Sequence, residues 1–174
     1  RMMETEELRI HKYGEDVLAR KCEPVEKIDE SIQQLVQEMK AKMIEENGVG
    51  LAAPQVGKSI QLVIVDPSGG EDPEAFLPLI NPEIIDGSGS EVGEEGCLSL
   101  PGILLQIKRS TTIKLKATDL EGNESIREYS DFKARIIQHE LDHLDGTLII
   151  DRVSSLKRQF VKKEIKKLKA NNEW

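Results

Sequence analysis

The sequence predicts an α+β fold in which small mixed or antiparallel sheets pack around a central helix, and an amphipathic helix ends the chain. Two long segments repeat apolar residues with the 3.6-residue period of a helix, and several short segments are apolar or alternating as strands are. Strands and helices do not alternate regularly, which argues against a parallel sheet. The 174 residues suit one domain with a sizeable core, and we expect a single domain over residues 1–174.

The first helix is predicted over residues 26–45, where Asp29 can accept hydrogen bonds from the free amides of the first turn. A glycine-rich turn at residues 47–51 follows. Residues 60–65 are apolar and β-branched, which predicts a buried strand, and residues 67–73 are predicted as a loop. The apolar positions that define one face of the helix are Ile32, Leu35, Val36, Met39 and Met43.

The next part of the chain indicates strands joined by tight turns. Pro82 has no amide proton, so the strand predicted over residues 79–85 is restricted to a sheet edge or a break. In residues 111–118 apolar and polar side chains alternate, which predicts one buried and one solvated face. The other strands are predicted at residues 103–107 and 124–129, with a hairpin loop at residues 119–123.

Composition and charge limit the classes of partner. The formal net charge is −8 and the pI is near 5.1, so the body as a whole is not built to bind DNA. No apolar run approaches the ~20 residues that cross a bilayer, so we expect no membrane span. Residues 1–7 show no hydrophobic signal region and no transit pattern, and two cysteines do not make a disulfide scaffold. We therefore expect a cytoplasmic bacterial protein, or an organellar one after removal of a transit peptide.

The most informative segment is residues 139–143, a His-Glu-x-x-His motif on a helix predicted over residues 132–144. Residues four apart lie on one helical face, so His139 and His143 can hold one metal ion, and Glu140 can reach a water at that ion. The alternative is a surface helix with two solvated histidines. The predicted ends of this helix are Ser130 or Asp131 as the cap and Gly146 just past the last turn.

A catalytic zinc-type site needs a third protein ligand and one open position. His11 lies in a polar stretch where nothing fixes its orientation, and Cys22, after two basic residues, is better explained as a filler or a surface thiol. Cys97 is different, because two acids and a glycine precede it and a Pro-Gly turn follows. From the residues alone, Cys97 is a metal ligand, a buried structural thiol, or a nucleophile paired with His139 or His143. Cys–His hydrolases, however, do not need a glutamate between two helical histidines.

Three segments form a distinctive set: Gly48-Val49-Gly50-Leu51-Ala52-Ala53-Pro54-Gln55, Glu95-Gly96-Cys97-Leu98-Ser99 and Gln138-His139-Glu140-Leu141-Asp142-His143. In this order and at this spacing they resemble the three signature motifs of the peptide deformylase family. Residues 13–18 also resemble the N-terminal segment of that family. The resemblance therefore extends from about residue 8 to residue 153.

The resemblance implies a metal-dependent hydrolase of protein biosynthesis that removes the formyl group from the N-terminal formyl-methionine of newly synthesised polypeptides and releases formate. It implies that Glu140 is the general base. Negative charge on the formyl oxygen needs donors placed in advance, and the resemblance assigns the side-chain amide of Gln55 and the backbone N–H of Leu98. The implied ligands of one divalent metal ion are Cys97, His139 and His143.

The substrate contacts that the resemblance implies lie around these motifs. Gly48 and Gly50 satisfy a turn, and they also leave the backbone open to a peptide that pairs as an extra strand. Val49 and Ile136 are expected to line the methionine pocket. Leu104 stands where family members often carry an arginine, so that contact with substrate is not expected here. The remaining expected substrate-binding residues are Glu95 and Gly96.

Asp142 faces away from the two histidines on a helix, so its position excludes it as a ligand. The resemblance implies that it pairs with Arg109 and so helps to orient the ligands, whereas the alternative is an exposed salt bridge of little energetic value. A Cys-His-His donor set suits Zn²⁺, Fe²⁺, Co²⁺ or Ni²⁺. The resemblance favours Fe²⁺ as the physiological metal.

Other classes of protein are alternatives. A zinc endopeptidase shares the His-Glu-x-x-His motif but usually takes a third ligand after the helix, and no His or Cys follows His143. Residues 52–59 loosely fit a phosphate-binding loop, but such a loop leads from a strand into a helix, and this one leads from a helix into a strand. In a non-catalytic binding module, Glu140 would be dispensable.

The C-terminal segment, residues 152–170, is predicted as a basic amphipathic helix that opens at Ser154 or Ser155 after a short strand at residues 148–150. Its only acid is Glu164, among many lysines and arginines. Such a helix is usually only solvated. Because the implied substrates are nascent chains, we expect it to touch ribosomal RNA.

Overall fold

The structure is a computed structural model that describes residues 8–174. Residues 1–7, on which part of the localisation prediction depends, lie outside that range. The helices are α1 (Glu30–Glu45), α2 (Asp131–Leu144) and α3 (Ser155–Ala170). The strands are β1 (Gly50–Ala52), β2 (Leu62–Val65), β3 (Leu77–Ser88), β4 (Glu91–Cys97), β5 (Leu100–Arg109), β6 (Thr112–Thr118) and β7 (Glu124–Ser130).

Five strands form one antiparallel sheet in the order β1-β2-β3-β6-β7, and β4 and β5 form a separate antiparallel hairpin. The prediction of an α+β fold with small antiparallel sheets and a C-terminal helix is confirmed. Helix α2 carries the His-Glu-x-x-His motif and packs on the large sheet, with β1 and β2 as its main neighbours. The outer edge of β1 is left unpaired within its sheet, as is the outer edge of β4.

Three clusters of buried apolar side chains hold these layers together. In the first, α2 packs Ala134 and Ile137 against the large sheet. In the second, α1 covers β2, with Met39 and Met43 fully buried. The third joins β5, the segment before α3 and the inner face of α3, which contributes Val161 and Ile165. Helix α1 therefore buries the apolar face that its periodicity indicated.

Helix α1 begins at Glu30, four positions later than predicted, and Asp29 caps it as predicted. The Asp29 carboxylate accepts hydrogen bonds from the amides of Ser31 and Ile32 at 3.0 and 3.2 Å. Strand β4 was not predicted, because its acidic, glycine-rich sequence lacks the apolar pattern of a strand.

Pro82 was predicted to restrict its strand to an edge or a break. The break is confirmed, whereas the edge is wrong, because β3 lies inside the sheet between β2 and β6. The register of β3 on β6 shifts between Ile80 and Glu83, so Pro82 falls in an irregularity of the ladder. At this irregularity the Asn81 side chain forms two hydrogen bonds with the backbone of Val25. It accepts a hydrogen bond from the amide of Val25 and donates one to the Val25 carbonyl, both at 2.8 Å.

The short strand predicted at residues 148–150 is also wrong, because the segment leads into a 3-10 turn, Ile149–Arg152. The Asp151 carboxylate accepts a hydrogen bond from the amide of Leu148 at 2.9 Å and so holds the turn closed. The run is apolar because its side chains are buried in the third cluster, not because they belong to a sheet.

Helix α3 is capped by Ser154, whose hydroxyl accepts a hydrogen bond from the amide of Lys157 at 3.2 Å. Its lysines are exposed, whereas Val161 and Ile165 are buried. Across residues 8–174, no helix has both the length and the apolar content that a bilayer crossing requires. The organisation of residues 1–174 as one domain stays a prediction.

Candidate metal centre

Helix α2 brings three side chains of its motif to one place. Glu140 and His143 are buried, and the His139 side chain is 11% exposed. The two imidazole rings lie edge to face with their centroids 5.3 Å apart, as the i, i+4 spacing predicts. The motif therefore faces into the molecule and is not a pair of solvated histidines.

Cys97, at the end of β4, completes a cluster of three ligand atoms. Its Sγ is 3.5 Å from Nε2 of His143, and the Cys97, His139 and His143 ligand atoms all lie within 4.8 Å of one another. The pairing of β4 with β5 shifts register between Gly96 and Cys97, which ends the regular ladder next to the thiol. A thiolate and two imidazoles at this spacing suit a single divalent metal ion.

Gln55 lies beside this cluster in a 3-10 turn, Ala53–Val56. Its Oε1 accepts a hydrogen bond from the amide of Ala52 at 2.9 Å, which fixes the orientation of the side-chain amide. Nε2 then donates to Oγ of Ser99 at 3.1 Å and lies 3.6 Å from Sγ of Cys97. The donor end of the amide therefore points at the cluster, as an oxyanion donor must.

Glu95 supports His139 from behind. Its Oε1 lies 2.9 Å from Nδ1 of His139, so Nε2 of that ring is left for the cluster. Arg109 donates to both carboxylate oxygens of Glu95 at 2.9 Å, and Arg135 donates to Oε2 at 2.6 Å. Glu95 was expected to bind substrate, whereas its carboxylate contacts His139 and two guanidinium groups.

Asp142 extends this network toward α3. It accepts hydrogen bonds from Arg109 at 2.6 Å, the partner expected from the sequence, and from Arg152 at 2.5 and 2.6 Å. Arg135 and Arg152 were not predicted as members of this network. The sequence did contain a signal for Arg135, because this residue lies four positions before His139 and so on the same helical face. It contained no signal for Arg152, since only the turn before α3 brings that residue to Asp142.

Partners and burial shift the pKa values of these groups in opposite directions. Burial raises the pKa of Glu140 to about 7. Burial also opposes ionisation of Glu95, but hydrogen bonds from His139 and Arg109 lower its pKa to about 2. Burial and the neighbouring His139 hold the pKa of His143 well below its usual value, so its imidazole is neutral and free to bind a metal.

Two buried polar atoms support the assignment of a metal site. Oε1 of Glu140 and Nδ1 of His143 have no hydrogen-bond partner among residues 8–174. Buried polar atoms are normally paired, so an unpaired carboxylate oxygen beside three ligand atoms indicates a place for a bound polar species. The residues present therefore fit one metal ion together with a water or a substrate.

Cys97 and His139 of this cluster, together with Glu140, line a cleft of about 580 Å³. The backbone of Gly50 approaches α2 so closely that a Cβ there would stand 2.5 Å from Oε2 of Glu140 and 2.9 Å from Cγ2 of Ile136. Gly50 is thus required by packing against the helix as well as by access to the backbone. The walls include every expected substrate residue, namely Gly48, Val49, Gly50, Glu95, Gly96 and Ile136, together with Gln55 and Leu98.

Two other predictions near the site have clear outcomes. His11 was expected to be unoriented, and this is wrong, because its Nδ1 lies 2.9 Å from Glu15 and 3.2 Å from Arg9. Cys22 is a buried filler, 3% exposed, and burial raises the pKa of its thiol to about 11.

A larger polar groove of about 1000 Å³ lies beside Asp142 and includes none of the three ligand candidates.

Helix α2 offers two imidazoles and a buried carboxyl group beside a thiol, which are the groups that a metal-dependent hydrolase needs. The fold and the site thus define a hydrolase with a candidate metal site. The family model described as polypeptide deformylase matches residues 7–159, and the chain belongs to the peptide deformylase family. The predicted family and the predicted activity, removal of the formyl group from new polypeptides, are confirmed.

Relatives resemble this chain over most of its length. A peptide deformylase of Thermodesulfovibrio yellowstonii is 45% identical over 159 residues, which are 91% of this chain and 96% of that protein. The structure is similar to that of a peptide deformylase from Legionella pneumophila, with a TM-score of 0.89, 36% identity and coverage of 95% and 96% of the two chains. A plant peptide deformylase gives a TM-score of 0.90 at 33% identity, with 99% and 95% covered.

Proposed function

We propose that this chain hydrolyses formyl-methionyl peptides at the Cys97–His139–His143 cluster, with Glu140 as the acid–base group. The observation that carries the proposal is geometric: three ligand atoms from a helix and a separate hairpin lie within 4.8 Å of one another at the floor of a cleft. The only other cysteine, Cys22, is buried away from this cleft. A binding module has no need for such a convergence.

The residues proposed to hold the metal are those of the cluster. A bound divalent cation supplies a Lewis acid that lowers the pKa of water from 15.7 toward about 7. We propose Fe²⁺ as the physiological ion, and Zn²⁺, Co²⁺ and Ni²⁺ also suit the donor set. Glu95 would keep Nε2 of His139 directed at the cluster, because its carboxylate holds Nδ1 from the other side.

Glu140 is proposed to move the proton. Its Oε1 is buried without a partner among the described residues, so this oxygen is available to a water in the cleft. In the proposed step it accepts a proton from the attacking water and later donates it to the nitrogen of the leaving methionine. The proton therefore stays on one carboxylate between the two halves of the reaction.

Gln55 and Leu98 are proposed to stabilise the charge on the formyl oxygen. The Gln55 amide is held by Ala52 and Ser99, so its donor direction is set before substrate arrives. The backbone N–H proposed for Leu98 follows Cys97 directly in the chain. Donors fixed in advance cost no reorganisation when the charge appears.

The substrate is proposed to bind as an extended strand between the free edges of β1 and β4. Both edges border the cleft, and both are glycine-rich there, at Gly48, Gly50 and Gly96. Val49 and Ile136 supply apolar surface for the methionine side chain. Backbone pairing is indifferent to sequence, which suits an enzyme that must accept many different nascent chains.

Formate release from a formyl-Met peptide tests the proposal, with protein loaded anaerobically with Fe²⁺. We expect Glu140→Ala and Cys97→Ala to release almost no formate, and only Cys97→Ala to lose bound metal. Cys22→Ala is the matched control for a lost thiol and should stay active. Full activity of Cys97→Ala would exclude the proposed ligand set.

We also propose that the basic face of α3 contacts ribosomal RNA, because the substrates emerge from ribosomes. On the same ground we propose that the enzyme acts in the bacterial cytoplasm, or in an organelle after removal of a transit peptide, where formylated chains are made. Binding to ribosomes should weaken steeply with salt, and replacing Lys162, Lys163, Lys166 and Lys167 by Glu should abolish it. Unchanged binding by that variant would contradict the contact.

A further inference from the structure

Residues 8–15, called the leading segment below, bind the backbone on both sides of the proposed oxyanion donor. The amide of His11 donates a hydrogen bond to the carbonyl of Gln55 at 2.7 Å. The amide of Tyr13 donates one to the carbonyl of Ser99 at 2.8 Å. The side chains of Gln55 and Ser99 are joined as well, by the 3.1 Å bond that helps to aim the amide. The leading segment therefore braces the two stretches of chain between which the donor is held.

The leading segment is bent around the carboxylate of Glu15. Arg9 donates to both oxygens of this carboxylate, at 2.7 and 3.2 Å. The amide of Lys12 donates to Oε2 at 2.6 Å, and Nδ1 of His11 lies 2.9 Å from Oε1. One carboxylate thus ties together several residues of the segment, among them His11, whose amide binds the carbonyl of Gln55.

The His11 ring also reaches the turn that carries Gln55. A Cβ on Gly57 would stand 2.9 Å from Nε2 of His11, so the ring lies against the residue that ends the 3-10 turn Ala53–Val56. His11 therefore holds this turn at two points, by its backbone amide and by its ring. Because the Glu15 carboxylate contacts Nδ1 of the same ring, it fixes how the ring meets the turn.

The leading segment lies outside the substrate cleft. None of residues 8–15 is among the described residues that line the cleft. Ile10 packs against the second apolar cluster and Tyr13 against the third, so the segment is anchored to the body without Glu15. The Glu15 side chain is 34% exposed, and its ion pair with Arg9 is a surface pair of little value for stability. The contacts of Glu15 are therefore better explained by positioning than by stability.

We propose that Glu15 is a positioning residue that fixes the leading segment and thereby the direction of the Gln55 amide. This inference rests on the proposed function, because it acts through the oxyanion donor. Glu15 itself touches neither the substrate nor the reacting atoms. A donor that is displaced still permits substrate to bind, but it stabilises the charge that develops on the formyl oxygen less well. The expected effect is therefore on kcat and not on KM.

Steady-state formate release from a formyl-Met peptide measures this role, with every protein loaded anaerobically with Fe²⁺. Glu15→Gln should lower kcat about tenfold and change KM less than about twofold, since loss of a whole oxyanion donor costs about 100-fold or more. Glu15→Asp keeps the charge and should recover part of the loss. Asp16→Asn removes an exposed carboxylate from the next residue, so it is the matched control and should equal the parent. Bound metal per chain should be the same in all four proteins.

A double-mutant cycle separates positioning from a general loss of structure. Gln55→Ala alone should lower kcat about 100-fold. Adding Glu15→Gln should lower it less than about twofold further, because the group through which Glu15 acts is gone. A general weakening of the fold would instead reduce kcat by the same factor in both backgrounds.

A second variant tests the same link if Glu15→Gln does not fold. His11→Ala removes the ring that lies between Glu15 and Gly57 but keeps the backbone amide that binds the carbonyl of Gln55. Its kcat should fall less, by about threefold, because one of the two holds on the turn remains. The fall should again disappear in the Gln55→Ala background.

The outcomes separate this inference from the proposed function. An unchanged kcat of Glu15→Gln, or of His11→Ala where the first variant does not fold, would overturn the positioning role and leave the deformylase proposal standing. Equal losses in both backgrounds, or a change in KM alone, would likewise overturn it. Full activity of Gln55→Ala would overturn the oxyanion donor and this inference with it. No formate release by the parent would overturn the proposed function as well.

Discussion

At the scale of single residues, two glutamates of one site have opposite ionisation behaviour. Glu95 is buried but held by two arginines and His139, and its pKa falls to about 2. Glu140 is buried with one oxygen unpaired, and its pKa rises to about 7. The difference arises from partners, since burial alone raises the pKa of both. Glu95 is thereby held as an anion against His139, and Glu140 can take up and release a proton.

Glu140→Gln should make the metal-free protein more stable while abolishing activity. The raised pKa of Glu140 contributes stability that is fully present below about pH 4.5 and is lost as pH rises through 7. The quantity to compare is the free energy of unfolding of the variant minus that of the parent. This difference should therefore be about 3 kcal/mol larger at pH 8.5 than at pH 4.5. Urea denaturation of chelator-treated protein measures this. An equal difference at both pH values would contradict the pKa shift.

Arg109→Ala should be among the most destabilising changes in the site. It leaves the carboxylates of Glu95 and Asp142 without a buried cation, and breaking a buried pair costs about 3–5 kcal/mol. Arg152→Ala removes the other partner of Asp142, but the Arg152 side chain is 44% exposed, so the loss should be ~1 kcal/mol or less. Denaturation midpoints of the two variants compare the losses directly. Similar losses would show that Arg109 is not the centre of the network.

At the scale of elements, the site exists because α2 is pressed against β1. The close approach places Glu140 at the cleft and leaves no room for a side chain at residue 50. The hairpin of β4 and β5 then supplies Cys97 from the other side. Helix, sheet edge and hairpin each contribute one wall, and the free edges of β1 and β4 leave a slot for a strand between them.

Gly50→Ala should therefore damage both stability and activity. The new Cβ would meet the Glu140 carboxylate and Ile136, and overpacking of this kind costs about 1–3 kcal/mol. Gly48→Ala is the control, because the atom nearest its Cβ would be the end of the flexible Leu98 side chain at 3.2 Å. Thermal unfolding and formate release should show a clear loss for the first and a small one for the second. The reverse order would contradict the proposed packing.

At the scale of the whole molecule, α3 has two separate faces. Val161 and Ile165 close the third apolar cluster under β5, and the lysines of the other face are solvated. The helix therefore stabilises the body by one face and is available to a partner by the other. The ion pairs from Arg152 through Asp142 to Arg109 connect the start of this segment to the candidate metal centre.

Removal of residues 155–174 should lower stability even where ribosomes are absent. Full burial of two aliphatic side chains is worth about 3–5 kcal/mol, and truncation exposes their partners to water. The fourfold Lys-to-Glu variant of α3 keeps the buried face and should unfold close to the midpoint of the parent. The midpoints of guanidinium denaturation distinguish the truncated protein from the fourfold variant. A truncated protein as stable as the parent would show that α3 contributes little to the core.

Local patterns in the sequence determined much of this protein. All three helices were predicted from local patterns, Asp29 was correctly expected to cap α1, and the i, i+4 spacing placed two imidazoles on one face of α2. These features depend on residues within a few positions of each other, so the chain alone specifies them. Together with the spacing of the three motifs, they were enough to indicate the family.

The tertiary structure alone decided which distant residues meet. It brought Cys97 to His143 across 46 positions, set Glu95 behind His139, and added Arg135 and Arg152 to the network. It also moved Pro82 into the middle of a sheet and turned residues 148–150 into a buried turn. Periodicity reports which face of an element is buried, but not what covers that face. The order of strands and the packing of α2 choose the partners, and this choice assembles the site from its separate motifs.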